Sequence, residues 1–224
     1  MRVLATLLFF GSLGVAADDP QRIRLLVERQ ESGGSAGPVW RALNPATVFN
    51  PADHVRFRMS ANFSGWLYVM NQGTSGSYGL LFPRSDTGSD NRIEAGKDYV
   101  VPAAQGWFKI SGPPGQDVVY WLVSPVELTQ EYRRLPPPPP KSEIPAGLKP
   151  RCDDTVFKAR GECIDSSAGV KPVKPGEKLP DNLNGVAGAT PRELLFMQEK
   201  GGTVLSSAEP LSGPVVYELR LSHR

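Results

Sequence analysis

Hydrophobic and polar residues alternate most cleanly where Val55, Phe57 and Met59 interleave with Arg56, Arg58 and Ser60. Period two marks a strand with one buried face and one wet face. Residues 22–28, RIRLLVE, predict an earlier strand, followed by a Gly/Ser-rich loop over 29–38. Ala61 to Gly65 turns the chain. Trp66 to Met70 is apolar on both sides, which suits an interior strand. Asn71 to Ser77 reads as a hairpin connection, and Tyr78 to Phe82 as the returning strand, ended by Pro83. Lys97–Val101 and Trp107–Ile110 are short strands, each closed by proline- or glycine-bearing turns. Asp117 to Ser124, DVVYWLVS, is β-branched and aromatic, the strongest strand signal in the chain.

The C-terminal stretch SGPVVYELRLSH alternates again. Val215, Tyr217, Leu219 and Leu221 form its apolar face, and Val216, Glu218 and Arg220 its charged face. Residues 190–208 are ambiguous. Thr190, Pro191 and Glu193 resemble a helix start, whereas a turn at 199–202 makes 193–206 a hairpin. The hairpin is favoured, because β-rich neighbours offer pairing partners. Short strands about ten residues apart, separated by Gly/Pro/Asn turns, predict an all-β fold. The expected architecture is an antiparallel β-sandwich of about eight strands. No helical period alternates with them, which argues against a parallel α/β sheet.

Residues 127–188 break the pattern. They contain Pro136, Pro137, Pro138, Pro139 and Pro140, then Cys152 and Cys163, then the Lys/Pro-rich GVKPVKPGEKLPDN. Five prolines favour polyproline II, a stiff spacer about 15 Å long. Because 214–222 must pair back into the sheet, 127–188 reads as an irregular insertion in a single domain, 18–224. At the N-terminus, Arg2 precedes an apolar stretch from Val3 to Val15, and Ala16-Ala17 precedes Asp18. This is signal-peptide anatomy over 1–17, too short for a comfortable membrane span of about 20 residues. The expected product is exported, periplasmic or extracellular, with no stable span after cleavage. In that compartment the two cysteines are expected to form a disulfide, worth roughly 3 kcal/mol at most in so short a loop.

The family likeness lies in VRFRMSANFSGWLYVMNQGTSGSYGLLFP, NRIEAGKDYVVP and GWFKISGPPGQDVVYWLVSP. Over about residues 50–126 the chain resembles the bacterial family catalogued as domain of unknown function 4384. The resemblance implies an exported or modular β-domain with an accessory or recognition role. It implies no established activity and supplies no catalytic residues. The Pro-rich insertion and the cysteine loop fall outside the family pattern.

A formal charge of +2 with mixed signs gives no electrostatic case for nucleic acid. The two histidines, His54 and His223, limit catalytic and zinc chemistry. Asp53, His54 and a serine make only a weak candidate triad, and His223 lies beside the C-terminus. Two acidic loops, one with Asp86, Asp90 and Asn91, the other with Asp153, Asp154, Glu162 and Asp165, offer oxygens of the type calcium prefers, without EF-hand spacing. Lys97 and the strand arginines are candidates for holding an anion. No cofactor or metal is expected. Trp66, Tyr68, Tyr78, Trp107 and Trp121 are candidate stacking residues, with core packing as the competing role. The proline run is a candidate for docking in an aromatic groove. The sequence thus reads as a non-catalytic binding or accessory domain acting on an envelope protein or glycan. The alternative is an envelope hydrolase or glycan-active enzyme with an unrecognised carboxylate site.

Overall fold

A computed structural model describes residues 19–103, 106–128, 163–173, 179–184, 194–199 and 202–224. Thirteen strands among these residues form two antiparallel sheets. In the first sheet β11 (Leu194–Glu199), β12 (Gly202–Ser207), β1 (Gln21–Ser32), β3 (His54–Ala61) and β7 (Asp98–Val101) lie side by side. Strand β2 (Pro38–Leu43) continues the β12 position along β1, and β8 (Phe108–Lys109) continues the β7 position along β3. The second sheet runs β10 (Gly169–Pro172), β13 (Val215–His223), β9 (Gly115–Ser124), β4 (Gly65–Gln72), β5 (Tyr78–Phe82). Strand β6 (Arg92–Ile93) also pairs with β4.

The alternation in β3 has the expected consequence. Val55, Phe57, Met59 and Ala61 are buried, and the intervening residues face outward. The inner faces of the two sheets meet in one core, where the Phe57 ring meets Trp121 edge-on at 5.5 Å between centroids. This is the expected sandwich with more strands than the expected eight. The additions include β6 and β10, which are too short to show a period, and β2, whose sequence PVWRAL does not alternate cleanly. The first strand also runs further than expected, through Ser32. It turns over Gly33–Gly37, where a β-carbon on Gly33 would lie 2.1 Å from the Gly37 carbonyl. The 194–207 segment is the favoured hairpin, with Glu199 opposite Gly202.

Two expectations need correction. The outward side of β13 is not wet: Val216 and Glu218 are buried, Glu218 against Arg220 at 2.8 Å. The insertion is also not wholly irregular. Its strand β10 pairs with β13, and a single helical turn, α1 (Asp181–Asn184), brings Leu183 onto the second sheet. There Leu128, Leu179 and Leu183 cover Tyr68, Met70, Tyr120, Leu122 and Val216, making a second core. The adjacent residues Tyr120 and Trp121 point to opposite faces, yet both are buried, because each face has its own cover.

Backbone and side-chain bonds fasten the start of this cover. Val48 N–H donates to the Cys163 carbonyl at 2.8 Å, and Asp165 N–H to the Ala46 carbonyl at 2.9 Å. The buried Asp165 carboxylate accepts from Gln116, Ser167 and Ser222. Burial pushes this carboxyl up, but those hydrogen bonds outweigh it and hold the group below the ordinary aspartate value. Cys152 and Pro136–Pro140 lie outside the described residues, as do residues 1–17.

Candidate functional site

The outward parity of the first sheet gathers planar and charged groups that are far apart in sequence. Strand β3 contributes His54, Arg56 and Arg58, and β1 contributes Glu28 and Gln30. The β1–β2 register sets Trp40 opposite Gln30. The paired residues point to the same side, so Trp40, Gln30 and His54 form one row across three strands.

Two stacks flank that row. The Arg56 guanidinium lies over the Trp40 ring, 4.3 Å from its centroid, a cation–π geometry. The His54 and Trp107 rings stack at 3.6 Å, only 10° from parallel. His54 Nδ1 donates to Gln30 Oε1 at 2.9 Å, which sets the ring's orientation. Trp107 remains 43% exposed, so one indole face is covered by His54 while much of the ring meets solvent. With neighbouring strands about 4.8 Å apart, the two stacks sit roughly 10 Å from each other.

Glu28 anchors the charges beneath. It is buried, and its two carboxylate oxygens accept from Arg56 Nε at 2.5 Å and Arg58 Nε at 3.0 Å. The hydrogen bond to Glu28 raises the Arg58 pKa, against the opposing effect of burial. Arg58 also meets Asp98 at 3.7 Å, and Arg24 meets Glu199 at 3.6 Å. The arginines expected to be free for an anion are therefore engaged with carboxylates. Lys97 lies off this face, on the β6–β7 turn, paired with Glu94 at 2.7 Å.

The structure disperses the five aromatics proposed from sequence. Trp107 lies on the outward face of the first sheet. Trp121 is fully buried in the main core, stacked on Tyr217. Tyr68 is buried in the second core, with Trp66 and Tyr78 packed against it. Burial pushes the Tyr78 phenol up to about 12, even though its hydroxyl donates to Asn182 at 2.9 Å. Trp40 and Gln30 were missing from the expected candidates, while His54 was weighed only for catalysis and the β3 arginines only for an anion. The alternation of HVRFRMS already placed His54 and Arg56 together; Trp40 needed the hairpin register.

The other candidate chemistry also resolves. Asp53 accepts from the Asn50 amide and meets Arg29 at 3.8 Å, while His54 turns to Gln30, so the two do not act as a dyad. Asp86 is held by Arg84, whose hydrogen bond lowers its pKa, and Asp90 accepts from the Arg92 amide. Among the described residues, no three His, Cys, Asp or Glu side chains form a metal-holding group. No helix among them is long and apolar enough to cross a membrane.

A separate pocket of about 260 Å³ opens between the sheets at one end of the sandwich. Among the described residues, Asp117 is the only carboxylate in its lining. Beside Asp117 lies His223, which continues the buried parity of β13 and is 1% exposed. The sequence had placed this histidine at an end of the chain, although the alternation from Val215 to Leu221 extends to it.

A family model described as Domain of unknown function (DUF4384) matches residues 48–127. This is the suspected family, over nearly the suspected span. No curated protein and no solved structure matches the chain. The matched segment holds β3 to β9, including His54, Arg56, Trp107 and Asp117. Strands β1, β2 and β10–β13 lie outside it, yet β1 and β13 pair directly with β3 and β9.

Proposed function

We infer that this chain is an exported, non-catalytic binding domain that contacts an envelope protein or glycan through the outer face of its first sheet. The observation that carries the reading is Trp107, a large ring held in place by a histidine stack while nearly half exposed. Rigid aromatics give contact area at low entropic cost on binding. Trp40 under Arg56, with Gln30 between the stacks, adds a second ring and hydrogen-bonding groups. Export rests on the signal-peptide pattern of residues 1–17. The Cys152–Cys163 disulfide is proposed with it; Cys163 is not a free thiol.

The hydrolase reading calls for two carboxylates converging in a cleft. Among the described residues the end pocket offers Asp117 alone, so no specific observation favours that reading.

The test is cosedimentation of purified 18–224 with envelope from the source cell, comparing wild type with Trp107→Ala and Trp40→Ala. Each variant should bind about tenfold or more weaker, the size expected for an aromatic anchor, with unchanged thermal stability. Prior digestion of the envelope with protease or with glycan hydrolases separates the two partner classes. Equal binding by wild type and both variants, or no binding by wild type, overturns the reading.

A further inference from the structure

The end pocket is independent of the aromatic face. Leu81, Phe108 and Val119 are among its apolar lining residues, and Asn71, Thr74, Ser77 and Asp117 among its polar ones. Lys109 also lines it, and its register partner on β3 is the outward His54. Among the described lining residues, Asp117 is the only carboxylate, and its strand parity is that of the core-facing Val119 and Trp121.

That carboxylate is held in place. Thr74 N–H donates to Asp117 Oδ1 at 2.8 Å. His223 Nε2 lies 3.5 Å from the same oxygen, buried and with no hydrogen-bond partner among the described residues. Asp117 Oδ2 accepts no hydrogen bond among the described residues, and the side chain is only 14% exposed. A carboxylate with so little water around it gains from an incoming cationic donor.

Thr74 is itself fixed. Its hydroxyl donates to the Pro113 carbonyl at 2.9 Å. It packs where two glycines leave room: a β-carbon on Gly115 would lie 2.7 Å from Thr74 Cγ2, and one on Gly112 would lie 3.1 Å from its hydroxyl. The Gly-Pro-Pro-Gly turn before β9 thereby seats the residue that orients Asp117.

A fixed, partly desolvated carboxylate in a pocket that also presents apolar side chains suits one ligand chemistry: an ammonium head on an alkyl stem. We propose that this pocket binds a primary alkylammonium group, with the ammonium on Asp117 and the stem against Leu81, Phe108 and Val119. The volume is slightly below the range of small-molecule pockets, which fits an alkylamine or one lysine side chain.

The test is an NMR titration of 18–224 with n-butylamine, with 1-butanol as an uncharged match and an acetyl-lysine-methylamide peptide as the protein-borne source. Butylamine should shift the amides of Thr74, Gly112 and Asp117 saturably, and butanol should bind about tenfold or more weaker. Asp117→Asn should weaken butylamine by a similar factor. Ser77→Phe, at the exposed rim, should block the pocket while leaving the spectrum of the core intact, so the proposal is testable even if Asp117→Asn misfolds. Tighter binding of the peptide than of butylamine assigns the site to lysine side chains; equal or weaker binding assigns it to small amines. Absence of saturable shifts, equal binding of butanol, or unchanged butylamine affinity in Ser77→Phe overturns the proposal.

Discussion

Replacing Leu183 by alanine probes the second core, because this side chain is 1% exposed and sits on the turn that brings the insertion onto the sheet. The substitution removes three carbon groups, at about 0.8 kcal/mol each, or roughly 2.4 kcal/mol of transfer free energy. A rigid cavity would add to this, but a single helical turn is free to settle inward, so about 2.5 kcal/mol is expected. For a chain of this size that is a fall of roughly 5–10 °C in Tm. Urea denaturation gives the free energy, and hydrogen exchange locates it. Protection should fall first in β4 and β9 around Tyr68, Met70 and Leu122, with the main core around Trp121 less affected. A change below about 0.5 kcal/mol, with unaltered exchange in β4, would refute the claim that the insertion covers this face.

Tyr217 is fully buried, its hydroxyl has no hydrogen-bond partner among the described residues, and burial pushes its pKa upward. Tyr217→Phe should therefore be neutral or stabilising by up to about 1 kcal/mol; a loss of that size in urea melts contradicts the burial account. Asp165 has a folded pKa below the ordinary 3.8, so its contribution is present above that value and fades as pH falls through the lower folded one. Acid melts should show a steeper loss below about pH 4 in wild type than in Asp165→Asn, and parallel curves would remove that role. Glu28→Ala leaves Arg56 and Arg58 without their shared buried partner and should cost about 2–3 kcal/mol in urea melts, short of a fully buried pair because both arginines reach solvent. It should also loosen Arg56 from Trp40, read as a change in indole fluorescence.

Local pattern carried the fold a long way. The alternation of Val55, Phe57 and Met59 with arginines forced a strand with one buried face, whatever its neighbours were. Trp66 to Met70 was apolar on both sides because both sides are indeed covered. Burial periodicity is a property of a few adjacent residues, so it survives in the sequence. The suspected family rested on turns recurring in order, and those too are local.

The face of a sheet is different, because it is assembled across strands. Trp40, Gln30, His54 and Trp107 become neighbours only through the register of β1 with β2 and β3 and the placement of β8. No spacing along the chain encodes that row. The same holds for Asp117, Thr74 and His223, which come from three separate segments. Trp66, Tyr68, Tyr78, Trp107 and Trp121 were visible as aromatics on strands or beside them. Which were core, which were covered by the insertion and which met solvent depended on packing partners distant in sequence, such as Asn182 for Tyr78, 104 residues away. Antiparallel strands with apolar sides were written into each segment's own pattern, since hydrophobic burial acts on that pattern. Which side received a second sheet, which received the insertion and which stayed open to solvent followed from long-range packing.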